Sequence, residues 1–269
     1  MKINAENDEY QIITSLKNNR SKRNKSQEVF VEGIDCIKQA IKADTEITRL
    51  IIKDRAALSD WGKETLRQYG GTKIIELPEG LYNKLSDREN PSEMLITARI
   101  THHSLESINP DNPFIIVFDR PSDHGNLGSV IRSANAFGAD GLFITGHGVD
   151  AYESKVIRAS LGSIFFTRIV IVESMEKLEA YIKVQKEKTN MEVIGTDSDG
   201  EAPLGDHKLK RPIMMILGNE AKGISVRLKA LCDRIIRIPM EGNVNSLNVS
   251  CAASIAMWEV YKSLIPPRP

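Results

Sequence analysis

Apolar residues fall along this chain in two periods. Short continuous apolar runs at residues 114–118, 141–144, 169–172, 192–196, 213–217 and 235–238 are the pattern of strands covered on both faces, which belong to parallel sheets. Between them, residues 127–137, 154–159, 175–187, 226–231 and 249–264 carry helical patterns. The alternation predicts an α/β fold, a parallel sheet with helices on both faces. The first hundred residues predict a smaller α/β domain: helix 8–16, strand 29–31, helix 34–43, strand 47–52, helix 56–69 ending at Gly70-Gly71, strand 73–77, short helix 79–84 and strand 94–100. Residues 102–113 have linker chemistry, with Pro110, Pro113, asparagines and serines. The expected division is an N-terminal domain over 1–105, a linker over 106–113 and a second domain over 114–269.

In a parallel sheet, ligands gather outside the carboxyl ends of the strands. Three polar, glycine-containing segments fall at such ends: residues 119–132, 218–223 and 239–248. The last joins a buried-looking strand to a long C-terminal helix, and such a junction leaves free main-chain groups beside a helix N-terminus. Ser246 or Asn248 also fits an ordinary N-cap there. Neither the Gly-x-Gly-x-x-Gly fingerprint nor the Walker phosphate loop is present, which argues against a nucleotide-linked oxidoreductase.

Lysine plus arginine (36) equals aspartate plus glutamate (36), so the global field will not draw the protein to polyanions. Local clustering changes that picture. Lys17, Arg20, Lys22, Arg23 and Lys25 follow one another with no acidic residue between, forming a candidate phosphate-contacting patch for RNA. Cys36, Cys232 and Cys251 are widely spaced without a Cys-x-x-Cys pair, so neither a disulfide framework nor a metal site is expected, and all three read as reduced core or near-core thiols. No run is apolar enough to span a bilayer and the N-terminus is not of secretory type; a cytoplasmic protein without membrane attachment is expected.

Taken in order, three stretches carry a joint signature. The first is Asp123-His124-Gly125-Asn126-Leu127-Gly128-Ser129-Val130-Ile131-Arg132-Ser133-Ala134, followed by Ala136-Phe137-Gly138-Ala139. The second is Ile216-Leu217-Gly218-Asn219-Glu220-Ala221-Lys222-Gly223-Ile224-Ser225. The third is Ile238-Pro239-Met240 followed by Ser246-Leu247-Asn248-Val249-Ser250, and Lys155-Val156-Ile157-Arg158-Ala159-Ser160-Leu161-Gly162 lies between the first two. Together these resemble the motifs of the SpoU/TrmH group of SPOUT RNA 2′-O-ribose methyltransferases. His124 stands where many relatives carry proline. Residues 20–100 are similar, more loosely, to the family's RNA-binding accessory domain.

The resemblance implies a C-terminal trefoil knot, a homodimer, S-adenosylmethionine as cofactor, and RNA as substrate, ribosomal RNA first and transfer RNA second. It implies that Leu217, Gly218, Asn219, Ile238, Met240, Ser246 and Leu247 bind the cofactor, and that Arg132, Glu220, Asn126 and Asn248 form the catalytic set. A guanidinium stays protonated, so Arg132 is expected to grip the phosphate beside the target ribose and stabilise the developing alkoxide, a phosphate oxygen or water taking the proton. Glu220 is expected to orient Arg132 or a neighbouring amide, or to lie near the cofactor's positive end. A non-catalytic RNA-binding protein of the same fold is the competing expectation.

Overall fold

A computed structural model describes residues 1–108, 110–206 and 208–265. The chain divides into two compact units: Met1–Thr101 with Asp150–Phe165, and His102–Val149 with Phe166–Pro269.

In chain order the first unit comprises α1 (Asp8–Asn18), α2 (Arg20–Ser26), β1 (Glu28–Glu32), α3 (Ile34–Lys42), β2 (Ile47–Ile52), α4 (Asp60–Gln68), β3 (Lys73–Glu76), α5 (Glu79–Leu85) and β4 (Met94–Arg99). The strands lie in the order β1-β4-β2-β3, with β4 antiparallel to both neighbours and β3 parallel to β2. Alternation sends Phe30, Ile51, Ile75 and Leu95 to one face of the sheet, where Tyr10, Ile13 and Leu16 of α1 and Tyr82 and Leu85 of α5 close a core. The helix expected from residue 56 begins only at Asp60. Its N-cap is Ser59, whose hydroxyl accepts from the Gly62 N–H, and the preceding turn is held by Asp54 accepting from the Ala56 N–H at 2.8 Å.

The basic run is a helix rather than an open connection. Asn19 caps α2 by accepting from the Lys22 N–H at 3.0 Å, and Gln27 ends it in the left-handed region at φ 55°. This turn of helix carries Arg23 inward, to 2 % exposure. Its Nε and Nη2 donate to Asp150 Oδ2 at 2.8 and 2.6 Å, while Nη1 donates to the Leu16 and Lys17 carbonyls that end α1. Three otherwise orphaned groups explain the burial: one guanidinium satisfies two helix-end carbonyls and a carboxylate at once. Arg23 is therefore enclosed and withdrawn from the set expected to face RNA. Lys17 is ion-paired with Asp87 at 2.7 Å and largely covered, whereas Arg20, Lys22 and Lys25 are exposed.

The second unit continues with β5 (Phe114–Asp119), α6 (His124–Ala136) and β6 (Gly141–Thr145). The next element, α7 (Ser154–Ala159), belongs to the first unit, where it packs on β1, and the Ile157 carbonyl accepts from the Cys36 thiol. The second unit resumes with β7 (Ile169–Val172), α8 (Met175–Thr189), β8 (Glu192–Thr196), β9 (Ala202–Pro203), β10 (Ile213–Leu217), α9 (Val226–Lys229), β11 (Arg234–Arg237) and α10 (Val249–Lys262). Its sheet runs β7-β6-β5-β10-β8-β11-β9 with every pair parallel. One face is buried under α8 and α9 through Leu178, Tyr181, Ile182 and Leu228. The opposite face, with Phe114, Ile116, Phe118 and Leu142, takes α6, which packs on β6 and against α10. No helix among the described residues is long and apolar enough to cross a membrane. Of the three thiols, Cys36 is buried and Cys232 partly so, their pKa values pushed up by burial to about 11 and about 12; Cys251, expected near the core, is exposed.

Candidate active site

The carboxyl ends of the central strands of the second unit open into a cavity of about 680 Å³. The three segments singled out by sequence converge on it. Asn126 comes from the first turn of α6; Gly218, Asn219 and Glu220 leave the end of β10; Ile238 and Met240 follow β11; Ser246, Leu247 and Asn248 lead into α10. The strand order β5-β10-β8-β11 causes the convergence, because it sets these exits side by side. Ile236, Ile238, Leu247 and Ala256 give the cavity an apolar side, and Asn126, Asn219, Glu220 and Asn248 a polar one.

Gly218 is needed for close approach. A Cβ there would stand 2.6 Å from the Gly223 carbonyl carbon and 2.7 Å from the Ile224 nitrogen, both main-chain atoms that cannot swing away. The two arms of the loop touch through paired Asn219 and Gly223 main-chain bonds of 3.0 and 2.9 Å. Within it, Asn219 Oδ1 accepts from the Ala221 and Lys222 N–H groups.

Glu220 does not meet Arg132. It crosses to the start of α6, accepting from the Ser122 N–H and hydroxyl, the Asp123 N–H and Asn126 Nδ2. Burial works against its charge, yet these bonds, led by the Ser122 hydroxyl, hold the carboxyl below the usual carboxylate range. A carboxylate only accepts, so it fixes the Asn126 amide with its nitrogen toward Glu220 and its oxygen outward. That oxygen takes a bond of 2.8 Å from Asn248 Nδ2. Asn248 Oδ1 is thereby left to cap α10, accepting from the Ser250 N–H at 2.8 Å. Cap chemistry and site chemistry are the same bonds here: Glu220, Asn126 and Asn248 form one directional chain across the three segments.

Two expected residues stand apart. Leu217 is fully buried at the end of β10 and is not among the residues lining the cavity. Arg132 also does not line it: the residue is exposed, six positions beyond Asn126 on α6. Helix geometry puts that roughly 9 Å along the axis and about 120° around it. No hydrogen bond or ion pair ties its side chain among the described residues. One wall was missed altogether. Thr196 at the end of β8 and Asp197, Ser198 and Asp199 after it line the cavity, and the signal was available as a polar stretch at the carboxyl end of an apolar run.

Comparison with known proteins agrees with this geometry. The SpoU rRNA Methylase family matches residues 113–258, and the SpoU L30e-like domain matches residues 7–97. The chain belongs to the SpoU rRNA methylase family. It is 32% identical over 269 residues to a 23S rRNA (uridine(2479)-2'-O)-methyltransferase of Streptomyces viridochromogenes, covering 99% of this chain and 94% of that protein. It is 25% identical over 241 residues to the 23S rRNA (guanosine(2553)-2'-O)-methyltransferase RlmP of Bacillus subtilis, covering 90% and 91%. The crystal structure of the SpoU methyltransferase AviRb from Streptomyces viridochromogenes, in complex with AdoMet, shares the fold at a TM-score of 0.90 and 32% identity, over 98% of this chain and 100% of that one.

Proposed function

We propose that the protein is an S-adenosylmethionine-dependent methyltransferase acting on a ribose 2′-hydroxyl of ribosomal RNA. The observation that carries this is the hydrogen-bonded chain Glu220–Asn126–Asn248, which knits three distant segments around one cavity. A cavity of about 680 Å³ with one apolar side and strand-end main-chain groups suits an adenosine carrying a short zwitterionic tail. Gly218, Asn219, Ile238, Met240, Ser246 and Leu247 would hold that ligand, Leu217 contributing through its main chain. When bound, S-adenosylmethionine supplies the methyl group on a cationic sulfonium. The remaining work falls to the chain: Asn126 and Asn248 present fixed amides, Glu220 holds them, and Arg132 grips the phosphate next to the target ribose and steadies the oxygen as its proton departs. Arg20, Lys22 and Lys25 on α2 are the RNA backbone contacts of this reading. On it, the enzyme works in the cytoplasm, on a C-terminal segment threaded as the family resemblance implies.

Transfer of tritiated methyl groups onto purified ribosomal and transfer RNA tests this. Label on ribosomal RNA at a 2′-O-methyl nucleotide is expected. Label on transfer RNA alone would change the substrate, and S-adenosylhomocysteine binding without any label would leave the RNA-binding reading instead. Gly218→Ala should weaken S-adenosylhomocysteine binding, measured by calorimetry, by about 30-fold or more, because the new methyl group must force the loop open.

The reading includes a homodimer. Phe137, the C-cap of α6, and Trp258 and Tyr261 of α10 form a ring cluster with centroids 5.7 to 6.0 Å apart. Trp258 is 42 % exposed and Ile255 39 %, an apolar face on the same helix pair that carries Arg132. A second copy covering this face would bring Arg132 of one chain toward the cavity of the other. Trp258→Glu is expected to shift light scattering from dimer to monomer, with dimer affinity lower by about 30-fold or more, as for a central aromatic anchor.

A further inference from the structure

We propose that Asp119 and Arg120, at the exit of β5, are positioning residues that set the loop 218–223 for cofactor binding. The inference rests on the reading of the cavity as the S-adenosylmethionine site, and it assigns a task to two residues that do not line that cavity.

Arg120 adopts the left-handed region at φ 48°, where a side-chain-bearing residue is disfavoured and is held only by its surroundings. Side-chain and main-chain hydrogen bonds hold it there. Arg120 Nε and Nη2 donate to the two oxygens of Asp119 at 3.0 and 2.8 Å, and Asp119 is 2 % exposed. The same Nη2 reaches the Gly223 carbonyl at 3.2 Å, while the Arg120 carbonyl accepts from Asn219 Nδ2 at 2.7 Å. One residue thus grips both arms of the loop, its guanidinium on the far arm and its carbonyl on the near one. Asp119 also accepts from the Ser225 N–H at 2.8 Å, two residues past the loop, and from the Thr145 hydroxyl at 2.8 Å. Gly146 makes room for the arrangement: a Cβ there would lie 2.6 Å from Arg120 Cγ.

The carboxylate is the anchor. Burial raises its pKa, and the bonds from Arg120, Ser225 and Thr145 outweigh that and leave it lowered, so it stays charged where the guanidinium needs it. The left-handed backbone turns the Arg120 carbonyl toward Asn219. A relaxed loop would have to be ordered by each incoming cofactor molecule, at a cost in affinity rather than in the chemical step.

Arg120→Gly keeps the left-handed backbone without strain while removing the clamp together with the counter-charge of Asp119, which retains its bonds from Ser225 and Thr145. Calorimetry with S-adenosylhomocysteine should show binding about tenfold weaker, with KM for S-adenosylmethionine raised in proportion and kcat at saturation within about twofold. The melting midpoint of the free protein should fall by a few degrees as Asp119 loses its counter-charge, so binding is measured well below the transition. Arg120→Lys keeps a charge beside Asp119 but cannot span to Gly223 as a planar fork does; its binding should be about three- to fivefold weaker than wild type, and it serves as the test if the glycine variant does not fold. Arg120→Gly or Arg120→Lys binding within about twofold of wild type, or a fall in kcat with affinity unchanged, would overturn the proposal. Failure of the wild-type protein itself to bind S-adenosylhomocysteine would instead remove the cofactor reading, and this inference with it.

Discussion

Replacing Arg132 by alanine is expected to lower methyl transfer by about 10²- to 10³-fold while leaving S-adenosylhomocysteine affinity unchanged, the range for removing one group aimed at developing charge. Arg132 is exposed on α6, does not line the cavity of its own chain, and has no partner for its side chain among the described residues. A guanidinium fixed by an ion pair would serve structure; one left open beside Phe137 and Trp258 can serve the neighbouring subunit of the proposed homodimer. Mixing Arg132→Ala with Gly218→Ala decides where it acts. With S-adenosylmethionine held well below its KM, where Gly218→Ala transfers little, random exchange in the proposed homodimer makes half the dimers mixed; if Arg132 serves the partner's cavity each mixed dimer regains one working site, so about a quarter of wild-type activity returns. If Arg132 serves its own chain, every site in the mixture carries one lesion and nothing returns. Near-wild-type transfer by Arg132→Ala alone would remove the residue from the catalytic set.

Much of this site was legible because the motif segments sit at strand ends and helix starts, where pattern and chemistry coincide. The apolar runs at 169–172, 192–196 and 213–217 are the strands β7, β8 and β10 to the residue, since strands buried on both faces write themselves as unbroken apolar stretches. The basic run 17–25 was harder. Its charges read as one solvated patch, yet the helix period sends Arg23 inward to Asp150 while Arg20, Lys22 and Lys25 stay out. Asn19 as N-cap was the local signal for that helix. Asp150 is 127 residues away, and no local pattern joins the two. The same limit applies to Glu220. Sequence marked the carboxylate but could not show that its partners would be Ser122, Asp123 and Asn126 rather than Arg132, because that depends on which strand lies beside which. Arg120 gave no signal at all, since its left-handed backbone is imposed by contacts to Asn219 and Gly223.

The Arg23–Asp150 pair leads to the second large effect. Asp150→Ala is expected to destabilise the first unit by about 3–5 kcal/mol, because it leaves a guanidinium enclosed with no counter-charge. Arg23 is 2 % exposed and Asp150 7 %, so water cannot take over the lost bonds without opening the packing of α2. The Tyr152 N–H, which donates to Asp150 Oδ1 at 3.0 Å, loses its acceptor as well. Urea unfolding followed by circular dichroism reads this as a lower midpoint at unchanged slope. Arg23→Met should cost a comparable amount, since it strands the Asp150 carboxylate and frees the Leu16 and Lys17 carbonyls together. The double variant Arg23→Met with Asp150→Leu discriminates between causes. If burial of an unpaired charge dominates, removing both charges restores most of the loss and the double variant is more stable than either single one. If the cost lies in the carbonyls that end α1, the double variant stays as unstable as Arg23→Met. A loss below about 1 kcal/mol for Asp150→Ala would mean that solvent reaches the guanidinium, as it does in exposed ion pairs.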